Sequence, residues 1–184
     1  MSDPRNLPLT GRSSSLARRT LQVAVDQLVD LAGPEEAATA ARLRSAAAAL
    51  GAQPGDPPLP APHPLAPAVG TTAVTDFTVG KDDTAAAMGH PDQSVTVLGS
   101  PRISLWFEVA TGPLMPGPEH PARQVGVGIL THHLGTAVPG EVVSVTATTA
   151  VVVGRTVTFQ CRAEVGQRLV ALGVHQRMIL DRKP

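Results

Sequence analysis

The residues most suited to chemistry lie in the second half of the chain: Ser100, Glu108 and His133. A hydroxyl can position a carboxylate or an oxyanion, and a carboxylate can attack a carbonyl or take a proton from water. An imidazole transfers protons near neutral pH. The set therefore suits reactions at an acyl carbonyl. No G-x-S-x-G sequence surrounds Ser100, so a nucleophilic serine of the hydrolase type is not expected.

Ser100 and Glu108 also have structural interpretations. Ser100 precedes Pro101 and could be an ordinary helix N-cap, a role compatible with chemistry because the first N–H groups of a helix can stabilise an oxyanion. Glu108 is the one charged residue between Ile103 and Ala110. Since a buried carboxylate is costly unless it is paired or used, Glu108 is either reactive or simply exposed on the helix surface.

Two adjacent histidines have to be distinguished. Successive residues of a strand point to opposite faces, so His132 and His133 cannot share one. The pattern predicts that His133 shares a face with Val125, Val127 and Ile129, and that His132 lies at the surface. A histidine beside apolar neighbours is either a hydrogen-bonded structural residue or a group that transfers protons.

A short helix positions the first two candidates. Ser100 and Pro101 predict a helix that runs to about Ala110. Eight helical residues rise about 12 Å, so Ser100 and Glu108 of one chain cannot easily reach the same carbonyl carbon. A site that uses both residues is therefore expected to draw on two chains.

Extended segments surround this helix. A strand is predicted over Thr75 to Val79 and a short extended piece over Ser94 to Leu98. Four further strands are predicted over Gln124 to Leu134, Glu141 to Val153, Arg155 to Val165 and Arg168 to Leu180. The connections between these four are too short for anything but antiparallel neighbours.

The last two of these strands indicate which side chains are buried. One face of the first carries Val157, Phe159, Cys161, Ala163 and Val165. Cys161 is therefore expected to be inert packing rather than a nucleophile. One face of the second carries Val170, Leu172, Val174, Met178 and Leu180, which predicts that His175 and Arg177 lie together on the opposite face.

The first 70 residues divide into a helical segment and a proline-rich segment. Residues 13–50 predict two helices, the first capped by Ser14 or Ser15 and the second starting at Pro34 and ending at Gly51. Residues 53–67, QPGDPPLPAPHPLAP, exclude helix and central strand. We expect a helical hairpin over 1–52, a linker over 53–70 and the main domain over 71–184. The hairpin either packs on its own domain or dimer mate, or binds a partner.

Composition excludes several classes of protein. Fifteen Lys and Arg balance fifteen Asp and Glu, and aromatic residues are scarce, so neither nucleic acid nor a membrane surface is an expected partner. A single Cys provides no disulfide framework and no thiolate zinc site, which suits a reducing compartment such as the cytoplasm. Neither a secretion signal nor a membrane span is predicted, since no suitable apolar run occurs.

The predicted elements imply an antiparallel sheet curled around a helix. They are one strand, a central helix carrying the apolar residues of PRISLWFEVA, and a four-strand meander. This α+β arrangement resembles the hotdog fold, whose members handle acyl thioesters and normally work as dimers or larger assemblies. The resemblance is architectural, and a fold alone does not fix a function.

Local motifs carry the resemblance further. The runs VLGSPRISLWFEVA, VGVGILTHHLGTAVPGEVVSVTA and ALGVHQRMI look like the fluoroacetyl-CoA thioesterase-like family of hotdog proteins, over residues from about Thr75 to Leu180. The resemblance implies catalytic residues Ser100, Glu108 and His133, and substrate-binding residues Gly126 and Arg177. Arg177 would meet a CoA phosphate or the polar end of the substrate, or else make a surface salt bridge. Ser100 stands where the best-known member has Thr, and the hydroxyl is kept.

Membership of this family implies hydrolysis of a small or short-chain acyl-CoA to acid and free CoA, by a homodimer or larger homo-oligomer, with no metal or organic cofactor. Two other functions stay open: a non-catalytic acyl-CoA-binding or scaffold protein, and an enoyl-CoA hydratase or dehydratase. The second would need a D-x-N-x-x-H sequence, which the chain lacks. No motif identifies the acyl group, or distinguishes CoA from a carrier protein.

Overall fold

The computed structural model describes residues 11–29, 37–49, 58–120 and 122–180. The chain forms two compact units, Met1–Ala61 and Pro62–Pro184. In the first unit, helices α1 (Gly11–Val29) and α2 (Ala37–Ala49) contact each other. Because α1 begins at Gly11, Ser14 and Ser15 lie within the helix, and the predicted serine cap is wrong.

The predicted ends of the two helices at residues 33, 34 and 51 lie outside the described residues, as does the start of the proline-rich segment. From residue 58 to residue 71 the chain contains no helix or strand. This agrees with the prediction from its prolines, which lack the N–H that both structures need.

Among its described residues, the second unit has five strands and one helix of several turns. These are β1 (Thr72–Thr78), α3 (Ser100–Thr111), β2 (Arg123–His133), β3 (Val142–Val153), β4 (Thr156–Val165) and β5 (Arg168–Leu180). The predicted helix and strands are therefore confirmed to within three residues at their ends. The predicted extended piece at 94–98 does not form a strand. Leu98 makes an isolated bridge with Thr84, and the carbonyl oxygens of Val95 and Val97 accept from Ala86 and Ala85.

All five strands form one antiparallel sheet in the order β1-β3-β4-β5-β2, so β1 and β2 are its edges. Helix α3 buries one side against this sheet through Ile103, Trp106, Phe107 and Ala110. The core side chains that meet it from β4 are Val157, Phe159, Cys161 and Ala163, all fully buried. An antiparallel sheet that packs around a central helix is the arrangement expected of the hotdog fold.

The helix lies very close to β5. A Cβ on Gly173 would lie 2.5 Å from the Phe107 ring and 2.6 Å from the Leu130 carbonyl oxygen, so only glycine fits there. At the other side of the helix, the ring of Trp106 stacks on Phe77 of β1 with centroids 4.9 Å apart. These contacts fix α3 across the sheet, from the inner strand β5 to the edge strand β1.

Strand β2 contains an irregularity that changes which residues share a face. Gly126 pairs with Arg177 and Gly128 with Gln176, so Val127 is the extra residue of a β-bulge. Beyond the bulge, Ile129 pairs with His175 and His133 with Ala171.

Directly paired residues of antiparallel strands lie on the same face, and the bulge changes the alternation along β2. His133 therefore shares the helix-facing side with Ile129 as predicted. The prediction was wrong for Val125, which pairs with Met178, and for Val127 in the bulge.

The prediction for β5 also needs correction. His175 and Arg177 do lie on one face, but this face meets α3, and their side chains are only 2% and 8% exposed. They can be buried because the end of the helix supplies polar partners, described below.

Candidate active site

Ser100 is the first residue of α3, and Gly99 before it is the N-cap. Because Gly99 occupies the capping position, the Ser100 hydroxyl is not used as a cap, contrary to the simplest expectation. The helix start is anchored by Asp83, whose carbonyl oxygen accepts from Gly99 N–H at 2.9 Å and whose carboxylate lies 2.6 Å from Arg102 Nε. These contacts hold the Ser100 hydroxyl at a defined place above the sheet.

The Ser100 hydroxyl is hydrogen-bonded to His133, with Oγ 2.9 Å from Nδ1. One helical turn further, Ser104 Oγ lies 2.9 Å from Thr131 Oγ1, so a pair of hydroxyls also joins α3 to β2. Burial lowers the pKa of His133, while the Gly135 backbone opposes this shift. The imidazole is thus neutral at pH 7 and able to accept a proton.

The other ring nitrogen of His133 faces away from Ser100. Nε2 is buried and has no hydrogen-bond partner among the described residues. His132, on the opposite face, is half-buried rather than at the surface as predicted.

Glu108 lies two turns along α3, and its side chain is exposed. Of the two interpretations drawn from the sequence, a single chain therefore shows the exposed carboxylate on the helix surface. Its carboxylate lies beside Gly126 of β2. A Cβ on Gly126 would be 3.1 Å from Glu108 Oε1 and 3.2 Å from His175 Nε2. Both polar atoms therefore approach the Gly126 backbone so closely that a side chain at residue 126 would crowd them.

Arg177 and Thr111 fix this end of the helix. Arg177 Nη1 donates to the Glu108 carbonyl oxygen at 2.6 Å and to Thr111 Oγ1 at 3.0 Å. Thr111 Oγ1 donates to the same carbonyl at 2.8 Å and lies 2.9 Å from His175 Nδ1. Burial lowers the pKa of Arg177, and the neighbouring charge of Glu108 opposes that shift. Arg177 is therefore a buried side chain that binds the end of the helix, rather than the surface salt-bridge residue considered from the sequence.

Within one chain the five predicted residues form two groups. Ser100 and His133 form the serine–histidine end of the site. Glu108, Gly126 and Arg177 form the glutamate end, together with Thr111 and His175. Ser100 and Glu108 are eight residues apart on one helix, a rise of about 12 Å, so the two ends are not joined in a single chain.

Sequence reasoning missed Thr111 and His175 as members of the glutamate end. His175 was noticed only as a polar residue beside Arg177, and its contact with α3 depends on the register of β5. Thr111 lies three residues after Glu108, one helical turn away, and this spacing was the available signal.

Cys161 lies close to this region but does not join it. Burial raises the pKa of its thiol to about 12, so it stays protonated and unreactive at neutral pH. In the ranges that the structure describes, no three His, Cys, Asp or Glu side chains are grouped closely enough to hold a metal ion. No helix within the described part of the chain is long and apolar enough to cross a membrane.

Known structures share this architecture. A variant of the fluoroacetyl-CoA thioesterase FlK in complex with acetyl-CoA is 26% identical, with a TM-score of 0.56 over 61% of this chain and 89% of that one. A hot-dog-like protein from Thermanaerovibrio acidaminovorans is 24% identical, with a TM-score of 0.56 over 64% of this chain and 85% of that one. A thioesterase superfamily member from Thermus thermophilus, TTHA0967, is 22% identical, with a TM-score of 0.55 over 62% and 84% of the two chains. No curated protein matches the chain.

The antiparallel sheet around α3 has the fold of the hotdog proteins. The sequence profile described as fluoroacetyl-CoA-specific thioesterase matches residues 79–183, which is more than half of the chain. The chain belongs to that family of acyl-CoA thioesterases.

Proposed function

We propose that this protein hydrolyses a small or short-chain acyl-CoA to the free acid and CoA. The observation that carries the proposal is the hydrogen bond of 2.9 Å between Ser100 Oγ and His133 Nδ1 at the start of α3. It sets a hydroxyl and a neutral imidazole beside the N-terminal N–H groups of a helix, where a developing oxyanion is stabilised. The FlK variant at 26% identity, which holds acetyl-CoA, supports a short acyl group.

In this proposal Glu108 is the nucleophile or the base that activates water. When water attacks, its oxygen bonds to the thioester carbon and its proton passes to the Glu108 carboxylate. Collapse of the tetrahedral intermediate breaks the C–S bond, and the departing thiolate takes the proton held by Glu108. His133 relays this proton, so that both side chains return to their starting protonation states. Ser100 orients His133 and helps to bind the oxyanion.

Gly126 and Arg177 serve substrate binding in this proposal. The absence of a side chain at Gly126 lets the acyl group approach the backbone beside the Glu108 carboxylate. Arg177 contributes its positive charge next to that position. The Arg177 guanidinium is buried and already donates to the end of α3. It is therefore better placed to contact the polar end of the acyl group than to contact a CoA phosphate in solvent.

A second copy of the chain is needed to unite the two ends of the site. Strand β2 is an edge of the sheet, and its apolar residues are unusually exposed, with Val127 at 49%, Ile129 at 46% and Leu130 at 45%. Leu105 and Val109, on the exposed side of α3, are 44% and 47% exposed. Such an edge with unpaired backbone groups and apolar flanks favours pairing with another chain.

The bulge at Val127 selects a register for this pairing. Suppose that β2 of one chain pairs antiparallel with β2 of a second chain, so that their two Leu130 residues lie opposite each other. If Val127 stays the unpaired extra residue of the bulge, His133 lies opposite the partner's Gly126. Both of these residues are on the helix-facing side. Each serine–histidine end would then meet the glutamate end of the partner, giving two equivalent sites per dimer.

Thiol release from a panel of acyl-CoA thioesters tests the activity. We expect turnover of acetyl-CoA or another short acyl-CoA, with an equal amount of acid formed. Binding of acyl-CoA without release of thiol would indicate a non-catalytic protein, and hydration of an enoyl-CoA with the thioester intact would indicate a hydratase. Either result contradicts the proposal.

Cysteine crosslinking tests the register. Leu130→Cys should give a disulfide-linked dimer under mild oxidation, because the two positions face each other across the two-fold axis. Val74→Cys is the matched control, since Val74 is an exposed apolar residue on the other edge strand. A protein that stays a monomer by light scattering, or crosslinks equally at both positions, would rule out the proposed dimer.

A further inference from the structure

The turn of residues 134–141 follows β2 and packs closely against the start of β5. Leu134 N–H and Gly135 N–H both donate to the Val170 carbonyl oxygen, at 2.8 and 2.9 Å. A Cβ on Gly135 would clash with the Leu169 carbonyl oxygen, so only glycine lets the turn approach β5 this closely. The backbone of the turn therefore has a defined position next to the last residue of β2.

Both partners of the Ser100–His133 hydrogen bond are in contact with this turn. The Ala137 carbonyl oxygen accepts from Leu98 N–H at 2.7 Å, two residues before Ser100. Burial lowers the pKa of His133, whereas the Gly135 backbone raises it. Since a protonated imidazole only donates hydrogen bonds, the backbone group that favours it is the Gly135 carbonyl.

Arg168, the first residue of β5, binds the turn through two nitrogens of its guanidinium. Nη1 donates to the Thr136 carbonyl oxygen, directly after Gly135, and Nη2 lies 2.6 Å from Glu141 Oε1. The second oxygen of Glu141, Oε2, accepts from Val138 N–H at 2.8 Å. The Val138 N–H and Arg168 lower the pKa of Glu141, so this carboxylate stays charged at neutral pH.

The contribution of Arg168 is geometric rather than stabilising. The side chains of Arg168 and Glu141 are 44% and 30% exposed, and an ion pair at this exposure adds little to the free energy of unfolding. A planar guanidinium that donates from two separate nitrogens does, however, fix the directions of two acceptors at once. One of these acceptors is the carbonyl next to the Gly135 carbonyl.

We propose that Arg168 is a positioning residue for the thioesterase reaction. By binding the Thr136 carbonyl and Glu141, it holds the turn, and with it the Gly135 carbonyl, in place against His133. This inference rests on the proposed hydrolysis and deepens it, since it assigns the group that fixes the imidazole used for proton transfer. Arg168 acts through the turn and not on the substrate.

Substitution of Arg168 tests the effect on the reaction. We expect Arg168→Gln to lower kcat about tenfold with KM nearly unchanged, because a misplaced imidazole slows the chemical step more than it weakens substrate binding. Arg168→Lys should lie between Arg168→Gln and the wild type, since the ammonium keeps the charge but lacks the planar fork of donors. Circular dichroism checks that both variants are folded.

The ion pair of Arg162 and Glu164 on β4 provides the matched control. Arg162 is also 44% exposed, and its Nη2 lies 2.7 Å from Glu164 Oε1. This pair involves no residue of the turn. Arg162→Gln should therefore keep the wild-type kcat.

An NMR titration of His133 is a measurement that a merely structural role would not move. In ¹⁵N-histidine-labelled protein, the His133 signals can be assigned with His133→Gln. We expect the pKa of His133 to be lower in Arg168→Gln than in the wild type, because the imidazolium loses the Gly135 carbonyl. The simple loss of a positive charge would have the opposite effect and raise this pKa.

Other groups near His133 do not confuse the comparison. In a single chain, Ser100 from α3 and Ala171 from β5 face His133, and neither titrates near neutral pH. In the proposed dimer the partner's Glu108 also faces His133, in the wild type and in the variants alike. Arg162→Gln should leave the pKa of His133 unchanged.

Wild-type kcat in folded Arg168→Gln, or a His133 pKa that is unchanged or raised, would overturn the inference and leave the proposed hydrolysis intact. Should Arg168→Gln fail to fold, the same two measurements on Arg168→Lys decide the question. A wild-type protein that releases thiol from no acyl-CoA would overturn the proposed function itself.

Discussion

His133 and Gly126 lie on the same face of β2 although they are seven residues apart, because Val127 is the extra residue of a β-bulge between them. In a regular strand, residues separated by an odd number point to opposite faces. The bulge therefore directs both the His133 ring and the open position at Gly126 toward α3. One face of the strand therefore carries the proposed proton-transfer group, His133, at one end and the proposed substrate position, Gly126, at the other.

Replacing Glu108 with Gln keeps the size of the side chain but removes both the negative charge and the ability to take a proton. We expect turnover to fall by about a hundredfold or more with the fold intact, the scale that is typical of losing a general base. Glu119→Gln is the control, because Glu119 is also exposed but lies outside the site. Steady-state kinetics and circular dichroism measure the two effects, and full activity of Glu108→Gln would exclude the mechanism.

The two adjacent histidines should respond differently to substitution. His133→Ala removes the partner of Ser100 and should reduce turnover about as strongly as Glu108→Gln, whereas His132→Ala on the opposite face should leave turnover nearly unchanged. A double variant at Glu108 and His133 should lose little more than the worse single variant, because residues that act as one unit are not additive. Equal losses at His132 and His133 would contradict the assignment.

The strands and the helix could be predicted from sequence because their signals are local. In β4, apolar and polar residues alternate without interruption, and Val157, Phe159, Cys161 and Ala163 are all fully buried as predicted. The start of α3 follows from Pro101, which is favoured in the first helical turn.

The composition of the glutamate end could not be predicted in this way. Its assembly depends on the bulge at Val127, which shifts the register of β2. It also depends on the hydrogen bond from Arg177 to the Glu108 carbonyl oxygen, which joins residues that are far apart in sequence. From the sequence, His175 is a polar residue of a strand with alternating polar and apolar positions. Its burial becomes evident only from its pairing with Ile129 and its contact with Thr111. Contacts between residues 64 apart in sequence are set by packing rather than by periodicity.

The stability of the fold should depend on pH through His175. Its pKa is lowered from 6.5 to about 4 in the folded chain, so the unfolded chain binds more protons between these values. The free energy of unfolding should therefore fall as the pH is lowered from about 6.5 to about 4, by on the order of 3 kcal/mol from this residue. Of the nearby groups, Arg177 stays charged and the Cys161 thiol, with a pKa of about 12, stays protonated over this range.

Urea unfolding at several pH values measures this dependence. His133, whose pKa is also lowered, is present both in the wild type and in a variant at residue 175, so its contribution cancels in the comparison. The difference between wild type and His175→Gln isolates the His175 contribution. Identical slopes of unfolding free energy against pH in the two proteins would show that His175 is not buried as a neutral ring.

Residues 71–184 should fold without the N-terminal segment. We expect deletion of residues 1–52 to leave a soluble, folded domain with altered assembly or lower stability, since the division between compact units falls at Ala61. Circular dichroism and thermal unfolding of the truncated chain provide the measurement. An unfolded product would mean that the helices α1 and α2 are part of the thioesterase core.

The proposed two-chain site can be tested by complementation between inactive variants. In a dimer of one Glu108→Gln chain and one His133→Ala chain, one site would combine both substitutions. The other would combine the intact Glu108 of one chain with the intact His133 of its partner. Co-expression with two different affinity tags allows this mixed dimer to be purified. We expect about half of the wild-type activity per dimer, because one of two equivalent sites is complete.

The control for this experiment pairs Glu108→Gln with a chain that carries both substitutions. Here neither site of the mixed dimer has an intact Glu108, so activity should stay at the level of the single variants. If each site lay within one chain, the first mixed dimer would be equally inactive, because both of its chains lack a required residue. Restored activity in the first dimer and not in the control is therefore specific to a site whose serine–histidine end and glutamate end belong to different chains.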